Sequence, residues 1–409
     1  MSENKVDNLP DRKAAEDRGE DTFLMEPLLI REDARGREEL VDMALDLASR
    51  SAAFRSSLPE GVMMALADLV RAMNCYYSNL IEGHDTHPVD IERALKKDYS
   101  ADPRQRDLQH EAEAHIHVQR WIDEGGLAGR ETSQEGLCEM HRRFCELLPE
   151  SLLKVEAPHG KDELWITPGA LRKRDIQVGR HVPISPGAVP RFLERFEAVY
   201  GKLGKTSTIL AAASAHHRFL WIHPFLDGNG RVARLMSHTM LLQTLDTGGI
   251  WSVARGLARN VDAYKSQLAA CDFTRRNDLD GRGSLSEEAL VGFTRFFLET
   301  CLDQVAFMEN LVKPQRLRDS ILVWAEEEIR ADVLPPKSGK VLEAILYRGE
   351  LPRAEVPELL GMSDRQARRI TSALLDQQVL SAETARSPFR LAFPASLASR
   401  WMPGLFPEK

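Results

Sequence analysis

His223, Asp227, Arg231 and Arg234 fall within one run of twelve residues, HPFLDGNGRVAR, at positions 223–234. Each is a residue type that can act on a phosphate. A histidine can accept a proton from an attacking hydroxyl. An aspartate can hold a magnesium ion against phosphate oxygens. Two arginines three apart share a helix face and can clamp an anion. Between these side chains, Gly228, Asn229 and Gly230 make a tight loop that feeds a helix. The unpaired N–H groups of such a helix start form an anion site. Cations in a first helical turn oppose the helix dipole, and an anion seated in the loop compensates them. The run therefore offers a base, a metal ligand, an anion cradle and two cationic clamps.

The flanking elements must deliver these groups. Residues 206–222 have helical spacing, and Pro224 predicts that this helix stops near His223. Val232, Leu235, Thr239 and Leu242 then share a face of a second helix. A plainer reading is a glycine turn with surface arginines. GNGRVA also fits the G-x-G-x-x-A dinucleotide fingerprint, with Asp246 near the expected acidic position. That fingerprint needs a buried strand ahead of the loop, where this chain has a helical pattern.

The twelve residues together resemble the Fic family motif, HPFx(D/E)GNGRxxR, at every defined position. The resemblance implies transfer of a nucleotide monophosphate, usually AMP from ATP, to a hydroxyl of a target protein. It implies that His223 is the general base and that Asp227 holds Mg²⁺ on the α- and β-phosphates. Gly228, Asn229 and Gly230 would line the anion hole, Arg231 would contact the phosphates, and Arg234 would hold the γ-phosphate. The GNGR form favours AMP transfer; the lysine variant of phosphoryl-transferring members is absent.

A helix is expected from about Glu60 to Glu82, ending YYSNLIEG with Gly83 as its left-handed stop. Ser78 and Glu82 are four apart and share a face. On periodicity alone Glu82 is a solvated carboxylate, mildly unfavourable in a last turn. SNLIEG, however, resembles the family's inhibitory motif, (S/T)xxxE(G/N), formed here by Ser78, Glu82 and Gly83. The resemblance implies that Glu82 pairs with Arg234 and blocks productive ATP binding, which places the chain in the self-inhibited class.

Residues 164–190 are strand-prone at Trp165–Thr167, Gln177–Val178 and His181–Val182, with glycines and prolines around them, and predict a β-hairpin. PGALRKRDIQVGRHVPISP resembles the family's flap, which clamps a target segment by main-chain pairing. The docking residues carried over are Arg174, Ile176, Val178 and His181. Tyr264 lies where the family places a tyrosine near the adenosine; a buried structural tyrosine is the alternative.

Other patterns carry less chemistry. The spacing of His110, His115 and His117 does not put two of them on one face with a third, acidic partner, and they read as solvated or core residues. NDLDGRG at 277–283 fails as an EF-hand in either register, because position 1 is Arg276 or position 12 is Ala289. Ser284 or Ser286 is expected to cap the helix that follows, to about Leu311. From Leu334 onward, helices over 341–346, 353–360 and 364–377 and a hairpin over 379–393 resemble a winged helix-turn-helix. Arg365, Arg368 and Arg369 lie on its third helix. From Lys337 to the end there are eleven Lys+Arg and eight Asp+Glu, a balance of +3. That charge suits DNA, and such units also dock proteins.

Composition bounds the rest. A chain of 409 residues predicts two or three domains. Hydrophobic residues make up 43%, as in a soluble globular protein. No apolar run reaches the roughly 20 residues of a membrane span. The polar N-terminus predicts no secretory signal. Five cysteines without a CxxC pair argue against structural zinc and for reduced thiols, hence a cytoplasmic protein. A net charge of −8 excludes a dedicated nucleic-acid binder over the whole chain.

The expected fold is mostly α. It comprises a Fic-fold helical core with a β-hairpin flap, followed by a small winged helix-turn-helix domain. The segments are a disordered tail at 1–22, an N-terminal helical region with the inhibitory helix at 23–125, and a catalytic core at 126–312. A linker helix at 313–333 and a winged-helix-like domain at 334–409 follow. The expected function is that of a protein adenylyltransferase using ATP and Mg²⁺. It would modify a Tyr, Thr or Ser hydroxyl of a target protein and be held back by Glu82. Two rivals stand beside it: an enzyme of the same fold removing AMP, with Glu82 orienting the water, and a DNA-binding regulator whose Fic core is a sensor. Self-modification, a homodimer and a DNA or protein partner for the C-terminal unit are left open.

Overall fold

The computed structural model describes residues 15–156 and 163–406. The chain is mostly helical. After a 3₁₀ turn at Thr22–Met25 come α1 (Arg37–Ser56), α2 (Glu60–Ile81), α3 (Pro88–Leu95), α4 (Pro103–Asp123) and α5 (Gln134–Glu146). Local chemistry sets their ends. Asp102 accepts from the N–H groups of Arg104 and Gln105 at the start of α4, and Ser133 accepts from Gly136 N–H at the start of α5. Beyond α2, Gly83 takes φ +89°; its N–H reaches Leu80 O and the His84 N–H reaches Asn79 O, at 3.0 and 2.9 Å. This Schellman pairing fixes where Glu82 stands.

The middle of the chain supplies α6 (Val189–Tyr200), α7 (Lys205–Ile222), α8 (Asn229–Leu245), α9 (Ala254–Arg259), α10 (Val261–Ala270) and α11 (Glu287–Leu311). α6 buries Val189, Phe192, Leu193, Phe196 and Tyr200, a single stripe at helical spacing. In α7 every residue from Ile209 to Phe219 is buried, so this helix lies inside the protein, packed lengthwise on α8. Ser286 accepts from Ala289 N–H and caps α11, as the serine reading expects. Asp280 accepts from the Arg276 and Glu288 N–H groups and from the Ser286 hydroxyl, so its carboxylate closes the 276–288 loop.

The C-terminal part contains α12 (Pro314–Arg330), α13 (Ser338–Arg348), α14 (Val356–Leu360), α15 (Asp364–Asp376) and α16 (Ala398–Trp401). α12 packs on α13 and α16, with Trp324 and Trp401 at 5.3 Å between ring centroids. It is therefore built into this part and is not a free spacer. Two strands, Leu380–Ser381 and Arg390–Leu391, pair antiparallel, and Leu351 bridges Phe389 beside them. Arg365, Arg368 and Arg369 are exposed on α15.

Two expectations change. Residues 1–14 of the expected tail lie outside the described residues, but 15–22 are ordered, because Asp17, Arg18 and Glu20 find charged and polar partners. The hairpin expected within 164–190 is also different. β1 (Lys154–Glu156) and β2 (Glu163–Trp165) pair with each other, upstream of the flap. Within 166–188 only Val178 and His181 bridge. Pro183 and Pro186 lack the donors a ladder needs, and Arg172 ties the first arm to the core instead. Among the described residues no helix is long and apolar enough to cross a membrane, and the five cysteines are free.

Candidate active site

α7 ends at His223, which adopts φ +51°, and Pro224 prevents the helix from continuing. Arg172 holds this corner. Its Nε donates to His223 O at 2.8 Å, and its backbone N–H donates to Pro224 O at 2.8 Å. The His223 Nδ1 lies 3.1 Å from Leu220 O. A proton on Nδ1 satisfies that contact and leaves Nε2 as an acceptor. Burial, together with the nearby Arg172 charge, lowers the His223 pKa to about 4, so the ring is neutral at physiological pH.

The loop after it is braced from within and from α5. Asn229 accepts from Phe225 N–H at 3.0 Å and donates to Phe225 O at 2.9 Å, so its amide shapes the turn. Gly228 takes φ +79° directly before α8. His141 stacks on Phe225 at 4.0 Å between centroids. Its Nδ1 accepts from Gly169 N–H at 2.9 Å, which puts its proton on Nε2, 3.2 Å from Asp227 O. The Asp227 carboxylate points outward, its side chain 56% exposed and 3.9 Å from Arg231. Among the described residues no group of three or more His, Cys, Asp or Glu could hold a metal. A cation at Asp227 therefore needs oxygens from a bound phosphate and water, the usual manner of Mg²⁺.

Both arginines of α8 are buried and engaged. Arg234 Nε donates to Ser78 Oγ at 2.8 Å; its Nη2 reaches Ser78 O at 3.2 Å and Glu82 Oε1 at 2.5 Å. A Cβ added at Gly230 would collide with that same Glu82 oxygen, so the carboxylate rests against the glycine loop. Burial alone would raise the Glu82 pKa; the charges of Arg234 and Arg231 outweigh it and hold the carboxyl below its usual range. Arg231 pairs with Glu111 of α4, and the other Glu111 oxygen lies 2.7 Å from His84 Nδ1. The hydrogen bond to Glu111 raises the His84 pKa, against a smaller opposing effect of burial.

The model of the Fic/DOC family matches residues 131–241. These residues are a Fic/DOC domain. The chain is 28% identical over 170 residues to the protein adenylyltransferase Fic of Drosophila persimilis, covering 41% of this chain and 30% of that protein. The counterpart from Drosophila grimshawi is also 28% identical over 170 residues, with 32% of its length covered. The match thus spans about a third of these relatives. A crystal structure of a Fic family protein from Desulfovibrio desulfuricans G20 aligns with a TM-score of 0.51 at 16% identity, covering 89% of this chain and 98% of that one. The two share a fold.

Around the Fic/DOC domain the remaining expected residues are placed as follows. Val178 and His181 exchange N–H···O bonds of 2.9 and 3.0 Å across Gly179–Arg180, and His181 Nε2 lies 2.8 Å from Trp221 O. Arg174 is exposed and Ile176 half-buried on the arm before them. Tyr264 is buried, its hydroxyl 2.6 Å from His216 Nε2, and His216 Nδ1 meets Ser237 Oγ at 2.9 Å. His216 and His217 hydrogen-bond within the interior. His110 stacks on Tyr99, His115 is buried and His117 is exposed, so the three do not converge.

Sequence reasoning missed Glu111, His84, His141 and Arg172. Arg172 stood inside the flap run without a distinguishing spacing. Glu111 and His115 are four apart on α4, but nothing local says that this face meets Arg231. The His141 contact depends on packing of α5 against the loop, for which the sequence carries no signal.

Proposed function

We propose that this chain is a protein adenylyltransferase, transferring AMP from ATP to a hydroxyl side chain of a protein, and that Glu82 restrains it. The observation that carries the reading is the Glu82 carboxylate. It rests on the Gly230 loop and on Arg234, where a charged phosphate would seat. An anion already occupies an anion site.

In this mechanism the target hydroxyl attacks the α-phosphorus of ATP. The new O–P bond forms as the bond to the β-phosphate oxygen breaks, releasing pyrophosphate, and the hydroxyl proton passes to His223 Nε2. The N–H groups at the start of α8 and the guanidinium of Arg231 face the developing charge. Asp227 would hold Mg²⁺, which screens the phosphate charge when bound. Arg172 keeps the His223 carbonyl and ring in place. Arg234 binds the terminal phosphate only after Glu82 has moved, so the ion pair and ATP compete for one guanidinium. The buried Tyr264 hydroxyl meets His216 and interacts with Arg234, which steadies both. The names of the Drosophila relatives agree with this reaction.

The test is the intact mass of the wild-type chain, Glu82→Gly and the double variant Glu82→Gly/His223→Ala after incubation with Mg·ATP. The expected result is an AMP adduct on Glu82→Gly alone. Absence of any adduct on Glu82→Gly, with itself as acceptor and with a cell extract as acceptor, overturns the reading.

A further inference from the structure

The first described residues lie along the flap and join its two arms. Gly187 N–H donates to Glu16 O at 2.8 Å. A Cβ at Gly187 would come within 2.6 Å of Ala15 O and Asp17 N, so the two main chains touch. Arg18 reaches the first arm with a two-pronged contact, its Nη1 and Nη2 each 2.9 Å from an oxygen of Asp175. Its N–H donates to Ser185 Oγ on the second arm at 3.0 Å. Glu20 accepts from the N–H and hydroxyl of Ser185 at 2.8 and 2.6 Å. Asp17 accepts from Arg191 of α6 at 2.9 Å.

These contacts matter because the arms do little for each other. Between Asp175 and Ser185 the single backbone bridge is Val178–His181. Arg172 supplies one further tie, from its Nη2 to Ile184 O at 2.6 Å. Beyond these ties Val178 and Val182 are exposed, so an edge stands ready to receive another chain. Such an edge binds an extended segment well only if its backbone is already held in shape.

We propose that residues 15–20 are a strap that sets the spacing of the flap's arms, with Arg18 and Glu20 as positioning residues for the protein acceptor. The proposal rests on the adenylyltransferase reading for its consequence, and on the contacts above for its geometry. The strap touches neither His223 nor the 228–234 cradle. It therefore acts on acceptor binding and leaves nucleotide binding alone.

Two measurements on the full chain test it. The first is deuterium uptake by the amides of residues 176–182 in the wild type and in Arg18→Ala/Glu20→Gln. Loss of the strap's hydrogen bonds is expected to speed uptake there on the order of tenfold, with α7 and α8 unchanged. The charge swap Arg18→Asp/Asp175→Arg is expected to restore slow uptake relative to Arg18→Asp alone. The second is AMP transfer by Glu82→Gly onto the His223→Ala chain as acceptor. With the strap substitutions added to the enzyme, KM for the acceptor should rise severalfold while kcat and ATP affinity hold. Unchanged uptake at 176–182 overturns the strap; so does a fall in kcat with KM constant. If uptake rises over the whole chain, Asp175→Ala, which removes the acceptor of Arg18 on the first arm and leaves residues 15–20 unaltered, decides between unfolding and flap release. A Glu82→Gly chain without transfer activity would sink the adenylyltransferase reading, and the uptake comparison would still judge the strap.

Discussion

Glu111 of α4 and Arg231 of α8 form a buried ion pair, their side chains 3% and 9% exposed. Each arginine of the α8 turn is thus matched to a carboxylate from a different helix, Arg234 to Glu82 and Arg231 to Glu111. Burial works against the charge on Arg231; the charges of Glu111, Asp227 and Glu82 together outweigh it and keep the guanidinium protonated. Removing one member of such a pair strands the other charge in the interior, at a cost of about 3–5 kcal/mol. Glu111→Gln should therefore lose roughly 3 kcal/mol of stability in urea unfolding. A loss below about 1 kcal/mol would mean that water or His84 already compensates Arg231.

Ser78 makes two of the three Arg234 contacts named above, one of them through its hydroxyl at 2.8 Å. Ser78→Ala deletes that hydroxyl bond and leaves Glu82 in place. Basal AMP transfer should rise, but less than in Glu82→Gly, because one neutral hydrogen bond is worth about 1 kcal/mol. Initial rates of the two variants check the order. Equal activation would show that Glu82 cannot hold Arg234 without Ser78.

With its pKa near 4, His223 already has a free Nε2 at neutral pH. The transfer rate of Glu82→Gly should stay level as pH falls from 8 to about 5, then decline toward 4; an inflection at 6.5 would contradict the buried base. Stability shows a wider acid response. His115 and His216 are lowered to about 3, and His141, His217 and His223 to about 4, in each case chiefly by burial. Unfolded histidines take up protons below about 6.5 while these folded ones do not. Their contribution is complete above that pH and is lost as pH falls toward 4, a trend that thermal melts across pH 7 to 4.5 can follow. His84, raised by Glu111, works in the opposite sense.

The C-terminal segment is fastened to the helix that carries Ser78. Tyr77 donates to Leu405 O at 3.0 Å, Arg255 donates to Gly404 O at 3.0 Å, and Phe406 meets Tyr76 edge-on at 5.8 Å. Ending the chain after Met402 removes these contacts and should loosen α2, raising basal transfer. Tyr77→Phe, which deletes one hydrogen bond, should do so by a smaller factor, within about 1 kcal/mol. Basal rates unchanged by the truncation would separate the C-terminal segment from the restraint.

The local parts of this protein are legible in its sequence. Pro224 stops α7 at His223, Gly83 ends α2 beside Glu82, and Gly228 turns the chain into α8. Each depends on backbone preferences acting over a few residues, which letters and spacing record. The Ser286 cap belongs to the same class. What joins these parts is not written that way. Glu111 reaches Arg231 across 120 positions, His141 reaches the Asp227 carbonyl across 86, and Arg18 reaches Asp175 across 157. The expected hairpin is shorter than its strand-prone residues suggest for the same reason: such residues do not say which chain will pair with them, and the arms keep the Val178–His181 bridge while Arg172 and residues 15–20 hold the rest. Such contacts arise when helices pack and bury charges that must then find partners, and no periodicity along the chain encodes which charge will be nearest.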